Sequence, residues 1–248
     1  MTSAPSTPGG TPTVALVHGA FADSSGWNDV AARLLAGGVA VEAVSNPLRG
    51  IAEDAAYVAS AIGQIPGPVL AVGHSYGGAV ITNAALPAGN VVGLVYVAAF
   101  APDEGEVLQD IESDSKDSVL NTVLVGRRYP TGNGADTELE FSIDPQRFHD
   151  AFASDVPEEQ ARVMAATQRP VSALAFSQKN GTPAWRSLPS WAVVATGDKA
   201  AGSDVVRRMA QRAGATAVEA EGSHVIMVSQ PQLVADVIHQ ALGAVTGR

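Results

Sequence analysis

The 248-residue sequence contains no cysteine. A disulfide framework, a thiolate-bound metal and a thiol nucleophile are excluded together, so covalent catalysis would need another side chain. Basic residues are scarce beside acidic ones, 15 Lys and Arg against 25 Asp and Glu, which leaves a formal charge of -10. A field of that sign repels polyanions; nucleic acid and anionic membranes are not expected partners, and acidic substrates are disfavoured. No unbroken apolar run has the length needed to span a bilayer. The opening MTSAPSTPGGTP lacks the basic and apolar regions of a secretory signal. Residues 1–12 read as a flexible tail, and a cytoplasmic location is expected.

Residues 13–248 are of a length that suits one large α/β domain. Apolar runs with β character alternate with segments of helical period, the mark of a mostly parallel sheet with helices on both faces. The strand candidates are VALV (14–17), VAVEAV (39–44), PVLAVG (68–73), VVGLVYVAA (91–99), SWAVVAT (190–196) and TAVEA (216–220). Several are apolar throughout, as strands buried on both faces should be. Trp27, Val30, Ala31, Leu34 and Leu35 share one helical face, with Ser24 or Ser25 as the cap; Ile51, Ala55, Val58 and Ile62 share another. A third helix runs from about Ser203 to Gly214, burying Val206, Met209 and Ala213, and a last one begins near Ser229, with Pro231 in its first turn.

From about Asp103 to Pro189 this rhythm stops. An acidic stretch, DEGEVLQDIESDSKD, is followed by turn-rich YPTGNGAD and helical VPEEQARVMAATQ. The expectation is a helical lid, residues 103–189, inserted between two strands and lying over the sheet.

The chemistry centres on VGHSYGG, Val72 to Gly78, between an apolar strand and a helix. A hydroxyl is a weak nucleophile unless a base takes its proton and fixed donors hold the oxyanion that forms. G-x-S-x-G at a strand-to-helix turn exposes the Ser side chain at the strand end, which makes Ser75 the nucleophile candidate, with Gly73 and Gly77 allowing close backbone approach. The helix start offers the backbone NH of Tyr76 to a developing negative charge. HGAF, His18 to Phe21, follows the first strand; its second donor is assigned to the Ala20 NH, with Phe21 as the alternative donor and a pocket wall. The plain alternative for each motif is an ordinary turn that needs its glycine.

An acid and a histidine follow later strands: Asp198 in VVATGDK and His224 in EGSHV. The order Ser, Asp, His, each past a separate strand, is that of a triad assembled from loops, with His224 as general base and Asp198 as its orienting carboxylate. Asp103, after VYVAAFAP, is the competing acid; its structural alternative is a turn residue that opens the lid. His74 is expected to point away from the mouth, His18 to be structural, and His149 and His239 to lie in the lid and the last helix.

These segments, VALVHGAFADSSGW, NPL (46–48), VGHSYGGAVIT, VYVAAFAPDEG, VATGDK and EGSHVIMVSQP, resemble the α/β-hydrolase superfamily. More narrowly, they are similar to the branch of plant methylesterases and hydroxynitrile lyases with their small bacterial relatives, over the chain from about Thr13 to its end. In lyase members with a Ser-His-Asp site, a Lys beside the catalytic His handles cyanide and a Thr replaces the glycine of the HG turn. Here Val225 follows His224 and position 19 is glycine, so the resemblance implies ester hydrolysis. The expected function is hydrolysis of a small, largely uncharged carboxylic ester through an acyl-enzyme, with no metal or organic cofactor. Candidate pocket walls are Phe21, Tyr76, Phe100, Phe148, Phe152 and Met164, each of which could equally be core. The alternatives are an acyltransferase, a lactonase or a cofactor-free haloperoxidase-like enzyme on the same site, and a non-catalytic binder on the same fold.

Overall fold

The structure, a computed structural model, describes residues 10–247. The expected tail, residues 1–12, therefore lies outside the described residues except at 10–12. Along the chain come β1 (Thr13–Val17), β2 (Val41–Val44), β3 (Val69–His74) and β4 (Val91–Val97), then β5 (Leu124–Pro130), β6 (Thr137–Ile143) and β7 (Val171–Ser172), and finally β8 (Ser190–Ala195) and β9 (Thr216–Ala220). The helices are α1 (Asn28–Ala36), α2 (Ile51–Gly63), α3 (Tyr76–Ala88), α4 (Leu108–Ser113), α5 (Phe148–Phe152), α6 (Glu158–Thr167), α7 (Leu174–Ser177), α8 (Ser203–Arg212), α9 (Ile226–Ser229) and α10 (Pro231–Thr246).

Six strands form a parallel sheet in the order β2-β1-β3-β4-β8-β9. Every residue of β3 and β8 is buried, so both faces of the sheet centre are covered, whereas the edge strands β2 and β9 are largely open. Burying side chains such as Leu70 and Val72 completely stabilises the sheet by about 1.5–3 kcal/mol each. The helices α2 and α3 pack on each other, as do α1 and α10. Helix α2 is closed at its start by a buried carboxylate: Asp54 accepts from the amides of Arg49 and Gly50.

The strand order positions the site. The chain passes from β1 to β2 on one side and returns to β3 on the other, leaving a crevice above β1 and β3 where open α/β sheets bind ligands. Val17 pairs with Gly73, so Gly19 and Ser75, each two residues further on, arrive side by side at the rim. Ala195 pairs with Ala220, which brings the loops carrying Asp198 and His224 out together at the same end of the neighbouring strands.

Between β4 and β8 the chain carries strands as well as the helices of the expected lid. It holds α4, α5, α6 and α7, but also an antiparallel sheet in which β6 pairs with β5 and β7. The turn-rich YPTGNGAD is the tip of the β5–β6 hairpin. In β5, LVGRRYP, five of seven residues are exposed, so no apolar alternation marks it as a strand. Smaller departures occur elsewhere. Leu35, expected on the buried face of α1, is 58% exposed. Asp23, not Ser24 or Ser25, caps the turn before α1, accepting from the Ser25 amide at 2.8 Å. Gly202 stands at the cap of α8, and Ser203, its first residue, donates its hydroxyl to Asp117 at 2.6 Å.

This insert rests on the strand ends through polar contacts. The Ser172 amide donates to Leu48 O at 2.9 Å, Arg49 pairs with Glu140 at 3.0 Å, and the Val119 amide donates to Lys199 O at 2.8 Å.

Candidate active site

Ser75 has φ 53° and ψ -125°, in the left-handed half of the map that non-glycine residues avoid. Such a bend holds only if the backbones around it close in. A Cβ on Gly73 would stand 2.5 Å from the carbonyl oxygen of Gly77, and one on Gly77 would stand 2.5 Å from that of Val17. The elbow is tied to the neighbouring strand: the Ser75 amide donates to Val97 O at 3.3 Å, and Ser75 O accepts from the amides of Gly78 and Phe100 at 2.9 and 3.2 Å.

Two backbone NH groups flank the hydroxyl. Tyr76 is the first residue of α3, where an amide has no partner within the helix, and Ala20 follows the glycine that abuts Ser75; neither amide makes a hydrogen bond among the described residues. The turn before Ala20 is held by His18. Its Nε2 accepts from the Asn46 amide at 3.1 Å, so Nδ1 carries the proton and donates to Gly19 O at 2.9 Å. Burial holds its pKa below the ordinary histidine value, and the nearby Arg169 guanidinium pushes the same way. His18 is therefore a neutral structural group. Arg169, from the insert, donates to Asn46 O at 3.1 Å.

On the other side of the rim, His224 Nδ1 lies 2.8 Å from Asp198 Oδ2, and both side chains are 1% exposed. A carboxylate can only accept, so Nδ1 carries a proton, and in the neutral ring Nε2 is the nitrogen with the free lone pair. Asp198 is held in turn: its Oδ1 accepts from the amides of Ala200 and Ala201 at 2.9 and 3.0 Å. Asp103, the competing acid, instead pairs with Arg186 at 2.5 Å, and its amide donates to Glu106. Ser75 Oγ and His224 Nε2 make no hydrogen bond among the described residues; contacts of this kind tighten in the substrate complex.

His74 is closer to the site than expected. Its Nε2–H donates to the carbonyl oxygen of His224 at 2.9 Å, and the two rings lie 4.7 Å apart. It is fully buried; that burial, with His224 next in order, holds its pKa well below the usual value. The residue before the nucleophile thus fixes the backbone of the histidine. Of the remaining histidines, His149 bonds Val156 O at 3.1 Å and His239 is exposed on α10.

Beside these groups lies a cavity of about 240 Å³, walled by Phe21, Phe148, Phe152 and Met164 and reaching His74 and Val225, the chain neighbours of Ser75 and His224. Phe152 packs edge-on against the His224 ring at 4.8 Å. Phe100 does not line this cavity: its amide bonds Ser75 O, and its carbonyl backs onto Gly78. The Tyr76 side chain also turns away, donating its hydroxyl to Asp54 Oδ2 at 2.7 Å. Burial and the Asp54 charge push the Tyr76 phenol well above its usual pKa. Phe176 of α7, which the sequence did not single out, stacks on Phe21 with ring centroids 6.3 Å apart.

A parallel sheet whose strand ends gather a strained serine, a histidine and a buried carboxylate defines an α/β protein of the nucleophile-elbow type. The chain belongs to the alpha/beta hydrolase family, whose model matches residues 14–237. Its fold is shared with polyneuridine aldehyde esterase, at 21% identity over 94% of this chain and 99% of that one, with a TM-score of 0.78. It is also similar to an extracellular α/β-hydrolase from a Paenibacillus species described as sharing structural and functional homology with tobacco salicylic acid binding protein 2 (21% identity, 93% and 98% covered, TM-score 0.74). Tomato methylketone synthase I is similar as well (19% identity, 94% and 98% covered, TM-score 0.74). A sequence search among curated proteins finds no significant match. The family match supports a hydrolase. Among the described residues no helix is long and apolar enough to cross a membrane.

Proposed function

We propose that the protein is a serine hydrolase that cleaves small, largely uncharged carboxylic esters. Ser75 Oγ attacks the ester carbonyl while His224 Nε2 takes its proton; the amides of Ala20 and Tyr76 hold the oxyanion. His224 returns that proton to the leaving alcohol. Water, deprotonated by the same nitrogen, then attacks the acyl-enzyme, and that proton passes to Ser75 Oγ as the acid is released. Asp198 keeps the ring in the tautomer that can accept at Nε2 and stabilises the imidazolium that forms.

The observation that carries this reading is the buried 2.8 Å pair of His224 Nδ1 and Asp198, on the same rim as the strained Ser75. The partly apolar cavity beside it supports an uncharged substrate, and the net charge of -10 disfavours an anionic one. The cyanohydrin alternative loses support from Gly19: a side chain there would meet Ser75 Cβ at 2.7 Å, and the residue after His224 is a buried valine.

A fluorophosphonate probe tests the reading. The native protein should be labelled, and Ser75→Ala should not. A native protein that takes no label is a binder and not a hydrolase; one that is labelled but leaves a panel of methyl, aryl and short-chain esters intact moves to acyl transfer or lactone opening.

A further inference from the structure

We propose that Asp155, a residue of the insert, is a positioning residue for His224. The inference rests on the hydrolase reading above, since it assigns His224 as the base. Asp155 follows α5, and its carboxylate gathers three donors from the segment that carries the imidazole. Oδ2 accepts from the Ser223 amide at 2.8 Å and from the Ser229 hydroxyl at 2.6 Å, and Oδ1 accepts from the Ser223 hydroxyl. One donor residue immediately precedes His224 and the other ends α9, so a single side chain clasps both ends of the turn on which the base sits.

The position before Ser223 is fitted to this contact. A Cβ on Gly222 would already lie 3.1 Å from Asp155 Oδ2. The carbonyl of Gly222 accepts from the Gly197 amide at 2.9 Å, so the same turn is tied to the loop of Asp198. Burial pushes the Asp155 carboxyl up, but the donors of Ser223 and Ser229 outweigh it and leave the pKa below the usual carboxylate value. Three residues earlier in the insert, Phe152 packs on the His224 ring itself. The stretch 152–155 therefore touches the ring through an aromatic edge and its backbone support through a carboxylate. A displacement of the insert moves the base with it.

Asp155 touches neither the proposed reacting atoms nor the cavity, and its outer side is exposed, so its replacement should leave the fold intact. The test compares Asp155→Ala, Asp155→Asn and Ser229→Ala with the native protein, each normalised to the active sites titrated by a fluorophosphonate. Asp155→Ala should lower kcat and the rate of Ser75 phosphonylation by about tenfold or more with KM little changed. Asp155→Asn keeps an oxygen that accepts from Ser223 and should recover most of that loss; Ser229→Ala should fall between. The downfield proton resonance of His224 Nδ1–H, shared with Asp198, should broaden in Asp155→Ala through exchange with water. An unchanged kcat and an unchanged resonance in Asp155→Ala overturn the inference, as does a loss that merely follows the fraction of folded protein. If the native protein takes no label at Ser75, it is the hydrolase reading that fails, while the Nδ1 resonance still reports whether Asp155 holds the ring.

Discussion

Gly19 and Ser75 meet across the ends of β1 and β3: a Cβ on Gly19 would stand 2.7 Å from the Cβ of Ser75 and 2.8 Å from the carbonyl oxygen of His74. Real Cβ atoms do not approach a backbone oxygen so closely, so even a methyl group must push the HG turn or the elbow out of place. On the proposed mechanism this separates the Ala20 amide from the oxyanion. Gly19→Ala should therefore lower kcat by about 10²–10³-fold, the usual effect of losing one such donor. Steady-state kinetics on any ester the native protein hydrolyses would check this; a Gly19→Ala variant of native kcat would remove Ala20 from the mechanism.

Asp198→Asn tests the tautomer. An amide nitrogen facing His224 donates, so the ring must accept at Nδ1 and carry its proton on Nε2, where it can no longer take one from Ser75. The expected loss is about 10³–10⁴-fold in kcat. The folded state should persist, because the Asn oxygen can still accept from the amides of Ala200 and Ala201. Kinetics and a thermal melt on the same sample separate the two effects.

Tyr76 serves two unrelated purposes, and Tyr76→Phe divides them. Its phenol donates to Asp54, whose carboxyl is fully buried and whose pKa burial raises above the usual value. Removing that donor should cost about 1–3 kcal/mol of stability, read as a lower urea midpoint. The amide of residue 76 is untouched, so kcat should remain near native. A large fall in kcat with unchanged stability would contradict this division.

Glu112 predicts a pH dependence of stability. It is 4% exposed in α4; burial pushes its pKa from 4.5 up to about 7, opposed by a hydrogen bond from Ser118. The folded value lies above the unfolded one, so between these two pH values the native state binds more protons than the unfolded state, and stability falls as pH rises through that window. The full effect is about 3 kcal/mol, at about 1.4 kcal/mol for each tenfold change. Glu112→Gln should lack it: urea midpoints at about pH 5 and about pH 8 should diverge more in the native protein than in the variant. Parallel behaviour of the two would place the titrating group elsewhere.

How far these features could be read beforehand depended on the kind of signal each leaves. Strands such as VLAVGH are buried on both faces and so stand out as unbroken apolar runs. The hairpin strand LVGRRYP is mostly exposed and held by backbone pairing, which no side-chain pattern records, and that is why a helical lid was expected there. Ser75, Asp198 and His224 each follow a strand within a recognisable turn motif, and the structure places Asp198 and His224 in contact. The bond from His74 to the His224 carbonyl and the clasp of Asp155 on Ser223 join residues with nothing local to mark them; they arise only when distant loops meet. Phe100 could be read either as wall or as core, because an aromatic just past a strand end faces the site or the core according to one backbone turn.

The hairpin tip offers a practical opening. Arg49 fastens its base by pairing with Glu140 and lying over the Tyr129 ring at 4.5 Å, while residues 132–137 stand exposed and line no part of the cavity. An epitope, fluorophore or immobilisation handle spliced between those positions would project into solvent from an anchored stem, so the molecule can be tethered or imaged through its crown without touching the chemistry beneath.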